Sequence, residues 1–270
     1  MSLPEALRAA LAARLDALDR DDVPRRIWQR DHTVWAPEPI EVADRLGWLT
    51  VHEGMREEIP RLRAFAREVA AEGISTVVLA GMGGSSLAAE VFGAVAAGGS
   101  GSPRLVVLDT THPEELRGLE AELDGGRALV VVASKSGTTL ETRAHLAWLW
   151  ERLGDPSRFV AITDPGTPLA RVAEERGFRR AFLNPPDIGG RYSALSYFGL
   201  VPAALVGADL EGILDGAAAM AAACGPEVRA ADNPGVRLGA LLGEAALLGR
   251  DKLTLALPDR VAPLGAWLEQ

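Results

Sequence analysis

Four hydroxyl side chains, one glycine and one lysine stand together in the six residues Ser134–Thr139. The segment follows an apolar run, Ala128–Ala133, and precedes an amphipathic stretch, Leu140–Leu153, so it is predicted to join a strand to the start of a helix. Hydroxyl donors, free backbone N–H groups and the helix dipole would then converge on one point. Lys135 adds a positive charge. The pattern predicts a site that holds a phosphate monoester without a metal ion.

Helix capping is a simpler explanation of the same loop. Ser136 or Thr138 would accept a hydrogen bond from a free N–H group of the first helical turn. A cap needs one hydroxyl rather than four, which favours the anion site. The loop is not a Walker A motif, because Lys135 precedes Gly137 and no G-x-x-x-x-G-K pattern exists. As a loop lysine, Lys135 is expected to contribute little to folding.

A glycine-rich segment, Gly81–Ser86, follows another apolar run and opens a helix predicted over Leu87–Ala97. Glycines let the backbone approach a ligand closely, and the helix start favours an anion. A dinucleotide site is one alternative, but Ser86 stands where G-x-G-x-x-G needs its third glycine, and Asp109 matches the expected acid only loosely. A purely structural tight turn is the other.

A third segment, Asn184–Ser193, contains two prolines that stiffen it and two glycines that permit tight backbone geometry. Arg191 stands at its end, just before a helix predicted over Ser193–Val206. An arginine in this position is able to stabilise a negatively charged oxygen in a closed site. An ion pair with a surface carboxylate is the alternative.

The elements around these segments are those of an α/β protein. From Ile74 onward, apolar runs alternate with amphipathic stretches, which predicts βαβ crossovers and strands buried on both faces. We predict a five-stranded parallel sheet sandwiched by helices. The predicted strands are Thr76–Ala80, Leu105–Leu108, Ala128–Ala133, Phe159–Thr163 and Ala181–Leu183. Ligands of such sheets bind beyond the carboxyl ends of the strands, where all three segments lie.

Helical patterns flank this region. Leucines spaced by three and four begin at Leu3, and a helix is predicted over Met55–Glu72. Further predicted elements are helices over Leu210–Ala223 and Gly235–Leu248 and a sixth strand over Lys252–Leu257. We predict an N-terminal helical segment at residues 1–73, an α/β domain at residues 74–250 and the start of another domain at residues 251–270. Trp28, Trp35 and Trp48 are expected to pack the first segment onto its neighbour.

Composition narrows the classes of protein. Of 270 residues, 48% are hydrophobic and 24% are charged, as in ordinary globular proteins. The single cysteine, Cys224, provides neither a disulfide framework nor a cysteine-based zinc site and fits a cytoplasmic location. A net charge of −9 disfavours nucleic-acid binding. Without a signal peptide or an apolar stretch of roughly 18 residues, no membrane partner is expected. Neither a metal nor a cofactor is predicted.

Three segments together resemble successive signatures of the glucose-6-phosphate isomerase family, which is built from sugar-isomerase (SIS) domains. They are Gly83–Ser86, Ser134–Thr142 and Gly189–Ser193, in order within a resemblance that spans Ile74 to Gln270. Arg26–Trp35 and Asn184–Leu200 look most like the isomerase half of bacterial transaldolase/glucose-6-phosphate isomerase fusions. The resemblance implies a flavodoxin-like SIS fold, a homodimer, and a truncated second SIS domain beginning in residues 251–270.

The resemblance also implies roles for the matching residues. The substrate would be glucose 6-phosphate or fructose 6-phosphate, and Arg191 would be catalytic because, with Gly190, it would stabilise the enediol(ate) between them. Gly137 and Thr138 would shape the phosphate loop. The remaining implied substrate-binding residues are Gly84, Ser85, Ser134, Lys135, Ser136, Thr139 and Gln270.

One part of the family pattern has no match. Family members carry a catalytic Glu four residues after the glutamine that Gln270 resembles, and a later His and Lys that assist ring opening. None has a counterpart here, although Glu141 matches a family acid near the sugar. We therefore expect the N-terminal, phosphosugar-binding portion of an isomerase. A non-catalytic SIS phosphosugar sensor and another SIS isomerase, such as an aminosugar-phosphate isomerase, are the alternatives.

Overall fold

The computed structural model of the protein describes residues 3–96, 101–124 and 127–270. Its centre is a five-stranded, all-parallel sheet. The strands are β1 (Thr76–Gly81), β2 (Arg104–Leu108), β3 (Ala128–Ala133), β4 (Phe159–Thr163) and β5 (Arg180–Leu183). They lie in the order β2-β1-β3-β4-β5. The predicted α/β fold is confirmed, and the ends of the five strands predicted for this sheet agree to within one residue.

Helices surround the sheet. They are α1 (Glu5–Arg20), α2 (Val23–Trp28), α3 (Val51–Ala71), α4 (Leu87–Ala96), α5 (Pro113–Asp124), α6 (Leu140–Leu153), α7 (Pro168–Glu175), α8 (Tyr197–Leu205), α9 (Leu210–Ala223), α10 (Pro234–Leu247) and α11 (Leu264–Glu269). Ala97, the last residue of one predicted helix, lies outside the described residues. The helix predicted from Ser193 begins later, because Gly190–Leu195 form a 3-10 helix and the Ser196 hydroxyl caps α8.

The central strands β1, β3 and β4 are buried on both faces because their alternate residues face different helices. Val77 and Val131 lie in a core that α3, α4, α8 and α9 complete. Val78 and Val130 lie in a second core with α5, α6 and α7. Both cores take residues from β1 and β3, which are buried along their whole length. This double burial explains the continuous apolar runs in the sequence.

The N-terminal helix α1 packs against α10. Leu15 lies in a small third core with Ala230 and Ala240, and Arg14 forms a salt bridge to Glu244 at 2.6 Å. The predicted leucine stripe of α1 therefore packs against α10. The other long helix of the N-terminal segment, α3, packs in a core of the sheet instead. The division at residues 73 and 250 stays a prediction.

The three tryptophans of the N-terminal segment differ in their surroundings. The Trp28 indole N–H donates a hydrogen bond to the Cys224 carbonyl oxygen at 2.6 Å, and Trp48 packs against a core of the sheet. Trp35 is 47% exposed. The packing prediction thus holds for two of the three.

The strand predicted at Lys252–Leu257 is wrong. Residues 251–258 form neither a helix nor a strand, and Leu253 and Leu255 are exposed. A strand needs a hydrogen-bonded neighbour, and this run pairs with no strand of the described sheet. The chain continues into α11, which packs on α4. Within the described ranges, no helix is long and apolar enough to cross a membrane.

Candidate functional site

A cleft of about 820 Å³ lies at the carboxyl ends of the strands. Strands β1 and β3 are neighbours there, but the helices that follow them, α4 and α6, pack on opposite faces of the sheet. The loops after these strands therefore diverge. This is the topological switch point, where doubly wound sheets bind their ligands.

The hydroxyl-rich loop divides its side chains between two tasks. Lys135, Ser136 and Thr139 line the cleft. The buried Ser134 hydroxyl lies 3.1 Å from the Thr139 hydroxyl and accepts a hydrogen bond from the Gly137 N–H at 3.1 Å. Ser134, Gly137 and Thr138 line a separate groove beside α6 and α7. Half of the loop thus supports the half that faces the cleft.

Capping does not explain the hydroxyls. The N-cap of α6 is Thr139, and its side chain makes no capping hydrogen bond. The Thr138 N–H donates to the Ser136 hydroxyl at 3.2 Å, which holds the loop rather than the helix. Gly137 has a φ of +66°, and a Cβ there would lie 2.7 Å from the Leu169 nitrogen, so only glycine fits.

Lys135 joins three loops at the cleft. Its ammonium pairs with Asp164, which follows β4, and donates to the Pro186 carbonyl oxygen, beyond β5, at 2.7 Å. Burial raises the pKa of the Asp164 carboxyl, and the hydrogen bond from Lys135 opposes that rise. Asp164 Oδ1 has no hydrogen-bond partner among the described residues. Lys135 thus has a structural contact that the sequence did not predict, and its charge is partly neutralised.

The glycine-rich loop (Gly81–Ser86) and the loop that carries Arg191 (Asn184–Ser193, the arginine loop) are in close contact through their backbones. A Cβ on Gly84 would lie 2.3 Å from the carbonyl carbon of Gly190 and 2.8 Å from the Arg191 nitrogen. The Ser193 hydroxyl lies 3.1 Å from the Gly84 carbonyl oxygen and 2.6 Å from that of Gly190. Gly84, Ser85, Gly190 and Arg191 are thereby brought to one cleft.

Replacing Gly84 by alanine is expected to lower the free energy of unfolding by about 1–3 kcal/mol, because the two loops must separate to admit the methyl group. Gly118→Ala is the matched control. No atom lies within 4 Å of a Cβ at that position in α5, so a stabilisation of about 0.5–1 kcal/mol is expected. Urea unfolding of both variants measures the difference, and equal effects would contradict the close contact.

Three further residues considered in the sequence analysis, Gln270, Glu141 and His145, differ in their positions relative to the cleft. Gln270 lies against the glycine-rich loop, with Nε2 2.3 Å from the position of a Cβ on Gly83. Glu141 is in the first turn of α6 and is not a lining residue of the cleft. His145, one turn further, is buried, and burial lowers its pKa. In the described part of the chain, no group of three or more His, Cys, Asp or Glu side chains is arranged to hold a metal ion.

Among the lining residues that sequence reasoning missed, four have ionisable side chains: Glu41, Arg45, Asp164 and Tyr192. Asp164 had a signal, since it follows β4 directly, as Ser134 follows β3. Glu41 and Arg45 come from the N-terminal segment, and their sequence neighbourhood shows no sign of a ligand site.

The sheet order and the position of the cleft define a doubly wound α/β protein of the flavodoxin-like class. The family model described as phosphoglucose isomerase matches residues 44–234, which is more than half of the chain. The chain therefore belongs to the phosphoglucose isomerase family, and the resemblance predicted from the three segments is confirmed. The likeness to transaldolase fusions stays a prediction.

Individual relatives agree with this assignment. Glucose-6-phosphate isomerase of Thermus thermophilus is 40% identical over 184 residues, covering 66% of this chain and 43% of that protein. Glucose-6-phosphate isomerase of Geobacter sulfurreducens is 32% identical over 290 residues, covering 98% and 51% of the two chains. The chain thus spans about half the length of the curated relatives it matches.

Two solved structures share the fold. A hypothetical protein from Thermus thermophilus superposes with a TM-score of 0.75 at 30% identity, over 97% of this chain and 61% of the other. A glucose-6-phosphate isomerase from Chlamydia trachomatis gives a TM-score of 0.66 at 30% identity, over 92% and 47%.

Proposed function

We propose that this chain is the phosphosugar-binding portion of a glucose-6-phosphate isomerase, which interconverts glucose 6-phosphate and fructose 6-phosphate through an enediol. One observation carries the proposal: Lys135, Ser136 and Thr139 share a switch-point cleft with Arg191. Hydroxyls and an ammonium suit a phosphate group. A guanidinium in the same cleft suits the oxyanion that develops when a carbonyl becomes an enediolate.

The proposed roles follow the positions of the residues. Lys135, Ser136 and Thr139 hold the phosphate, while Ser134, Gly137 and Thr138 keep the loop in shape. Gly84, Ser85 and Gly190 contact the sugar, and Arg191 stabilises the oxyanion. Gln270 adds a substrate contact beside the glycine-rich loop.

The reaction moves a proton between adjacent carbons, so it needs a carboxylate base and no redox cofactor. The family resemblance assigns the base to a glutamate four residues beyond the glutamine that Gln270 matches. With this activity, a cytoplasmic location, a place in glycolysis and gluconeogenesis and a homodimeric assembly form part of the proposal.

Titration calorimetry with four ligands tests the proposed binding function. Fructose 6-phosphate and glucose 6-phosphate are expected to bind at least about tenfold more tightly than glucose, because a hydrogen bond to a charged group contributes about 1.5–3 kcal/mol. Inorganic phosphate should compete with both esters. Equal affinity for glucose and for glucose 6-phosphate would contradict the phosphate site.

A further inference from the structure

Arg45 places a guanidinium from the N-terminal segment in the cleft that holds Lys135 and Arg191. It is the last residue of a 3-10 helix, Ala43–Arg45, and the two residues after it, Leu46 and Gly47, are buried. The side chain of Arg45 itself is 32% exposed. The backbone that carries it is therefore packed in the protein, while its partly exposed side chain lines the cleft.

The arginine loop holds this backbone in place. Leu46 forms an antiparallel bridge with Ile188, and the Gly47 N–H donates to the Asp187 carbonyl oxygen at 2.8 Å. Arg30 also pairs with the Asp187 carboxylate at 3.0 Å. These contacts join the N-terminal segment to the loop that carries Arg191.

Further contacts fix the direction of the Arg45 side chain. Its Cδ lies 3.6 Å from the position of a Cβ on Gly189, so it runs along the arginine loop. Trp48 stacks on Tyr192, with ring centroids 5.5 Å apart. Burial raises the pKa of the Asp164 carboxyl, which pairs with Lys135, and the charge of Arg45 opposes that rise. The side chain of Arg45 therefore extends along the arginine loop in the direction of the phosphate loop, Ser134–Thr139.

The single charge of Lys135 in the loop Ser134–Thr139 does not balance the charge of a bound phosphate, which favours a second cation at the site. A phosphate monoester carries nearly two negative charges at neutral pH. Lys135 is already paired with Asp164. The acid that pairs with Arg45 is Asp44, which is exposed and 3.8 Å away, a geometry that contributes little. The guanidinium of Arg45 is thus available to a ligand, with a planar fork of donors that matches phosphate oxygens.

We propose that Arg45 is a substrate-binding residue that contacts the phosphate end of the ligand. Its positive charge compensates for the charge of Lys135, which the ion pair with Asp164 partly neutralises. This proposal rests on the proposed phosphosugar function and extends it to a residue outside the α/β domain. It assigns part of the phosphate site to the N-terminal segment.

Calorimetry on the 270-residue chain and its variants tests this role. Arg45→Ala is expected to weaken binding of fructose 6-phosphate and of inorganic phosphate about tenfold or more, with glucose affected less than twofold. Arg45→Lys should recover part of the loss, since it keeps the charge without the fork. Arg56→Ala is the control, because it removes an equal charge on α3, where Arg56 pairs with Asp215 at 2.7 Å; its phosphate affinity should not change.

The outcomes separate this role from the proposed function. If the unaltered chain prefers the phosphate ester and Arg45→Ala keeps that preference, the role of Arg45 is overturned and the phosphate site stands. A loss of equal size for every ligand, or one also seen in Arg56→Ala, would likewise overturn it. If the unaltered chain binds neither phosphate nor its esters, both proposals fail. Should Arg45→Ala not fold, Arg45→Gln removes the same charge and replaces it in the comparison with Arg45→Lys.

Discussion

A polypeptide of residues 1–270 is expected to bind fructose 6-phosphate and to convert it to glucose 6-phosphate no faster than background. The general base that the family resemblance implies has no counterpart in these residues, and loss of a general base alone costs about 10²–10⁴-fold in rate. Ser136 and Arg191 are also exposed. Water at the cleft weakens the electrostatic contacts on which stabilisation of an enediolate depends.

A coupled assay of glucose 6-phosphate formation measures this activity. The matched comparison is a longer polypeptide that also carries the family glutamate, which should be active. In that polypeptide, Arg191→Ala should reduce kcat more than it raises KM, because an oxyanion contact forms fully only in the transition state.

Two results would contradict this prediction. Robust turnover by residues 1–270 would show that another carboxylate serves as the base, and Glu41→Gln and Glu141→Gln would identify it. Tight binding without turnover in the longer polypeptide would favour a phosphosugar sensor over an isomerase.

Replacing Lys135 by alanine is expected to weaken binding of fructose 6-phosphate by about 1.5–3 kcal/mol, or about 10- to 150-fold. The variant should also unfold more easily, because it leaves the half-buried Asp164 carboxylate without its ion-pair partner. This second effect departs from the expectation for a loop lysine and follows from the ion pair in the structure.

A double variant separates the two effects of Lys135. Lys135→Ala combined with Asp164→Asn removes the unpaired charge, so it should recover stability while binding stays weak. Lys252→Ala is the control, since that lysine side chain is 87% exposed and pairs with its sequence neighbour Asp251. Calorimetry and urea unfolding are measured on each variant. Restored binding in the double variant would show that Lys135 acts only by neutralising Asp164.

The central strands β1, β3 and β4 were predictable because each is buried along its whole length, which leaves an uninterrupted apolar run such as Ala128–Ala133. The same rule failed at Lys252–Leu257. That run has the composition of a strand, but pairing depends on a neighbour elsewhere in the chain, which composition does not encode.

The site was predictable to the extent that its residues follow strands. Lys135, Gly84 and Arg191 occupy loops beyond the carboxyl ends of strands, and parallel strands bring such loops to one edge. Arg45 comes from a segment distant in sequence, so its position depends on the antiparallel bridge between Leu46 and Ile188. The pair of Lys135 and Asp164 likewise arises only when adjacent strands bring two loops together.

The bridge between Leu46 and Ile188 changes what counts as a module in this protein. A truncated protein designed from the sequence pattern alone would begin at Ile74 and would keep the whole sheet. It would also discard Arg45, the partner of Ile188 and the ring that stacks on Tyr192. The smallest excisable unit with a supported arginine loop therefore begins at or before Arg45, next to Asp44, the residue at which the likeness to the family model starts.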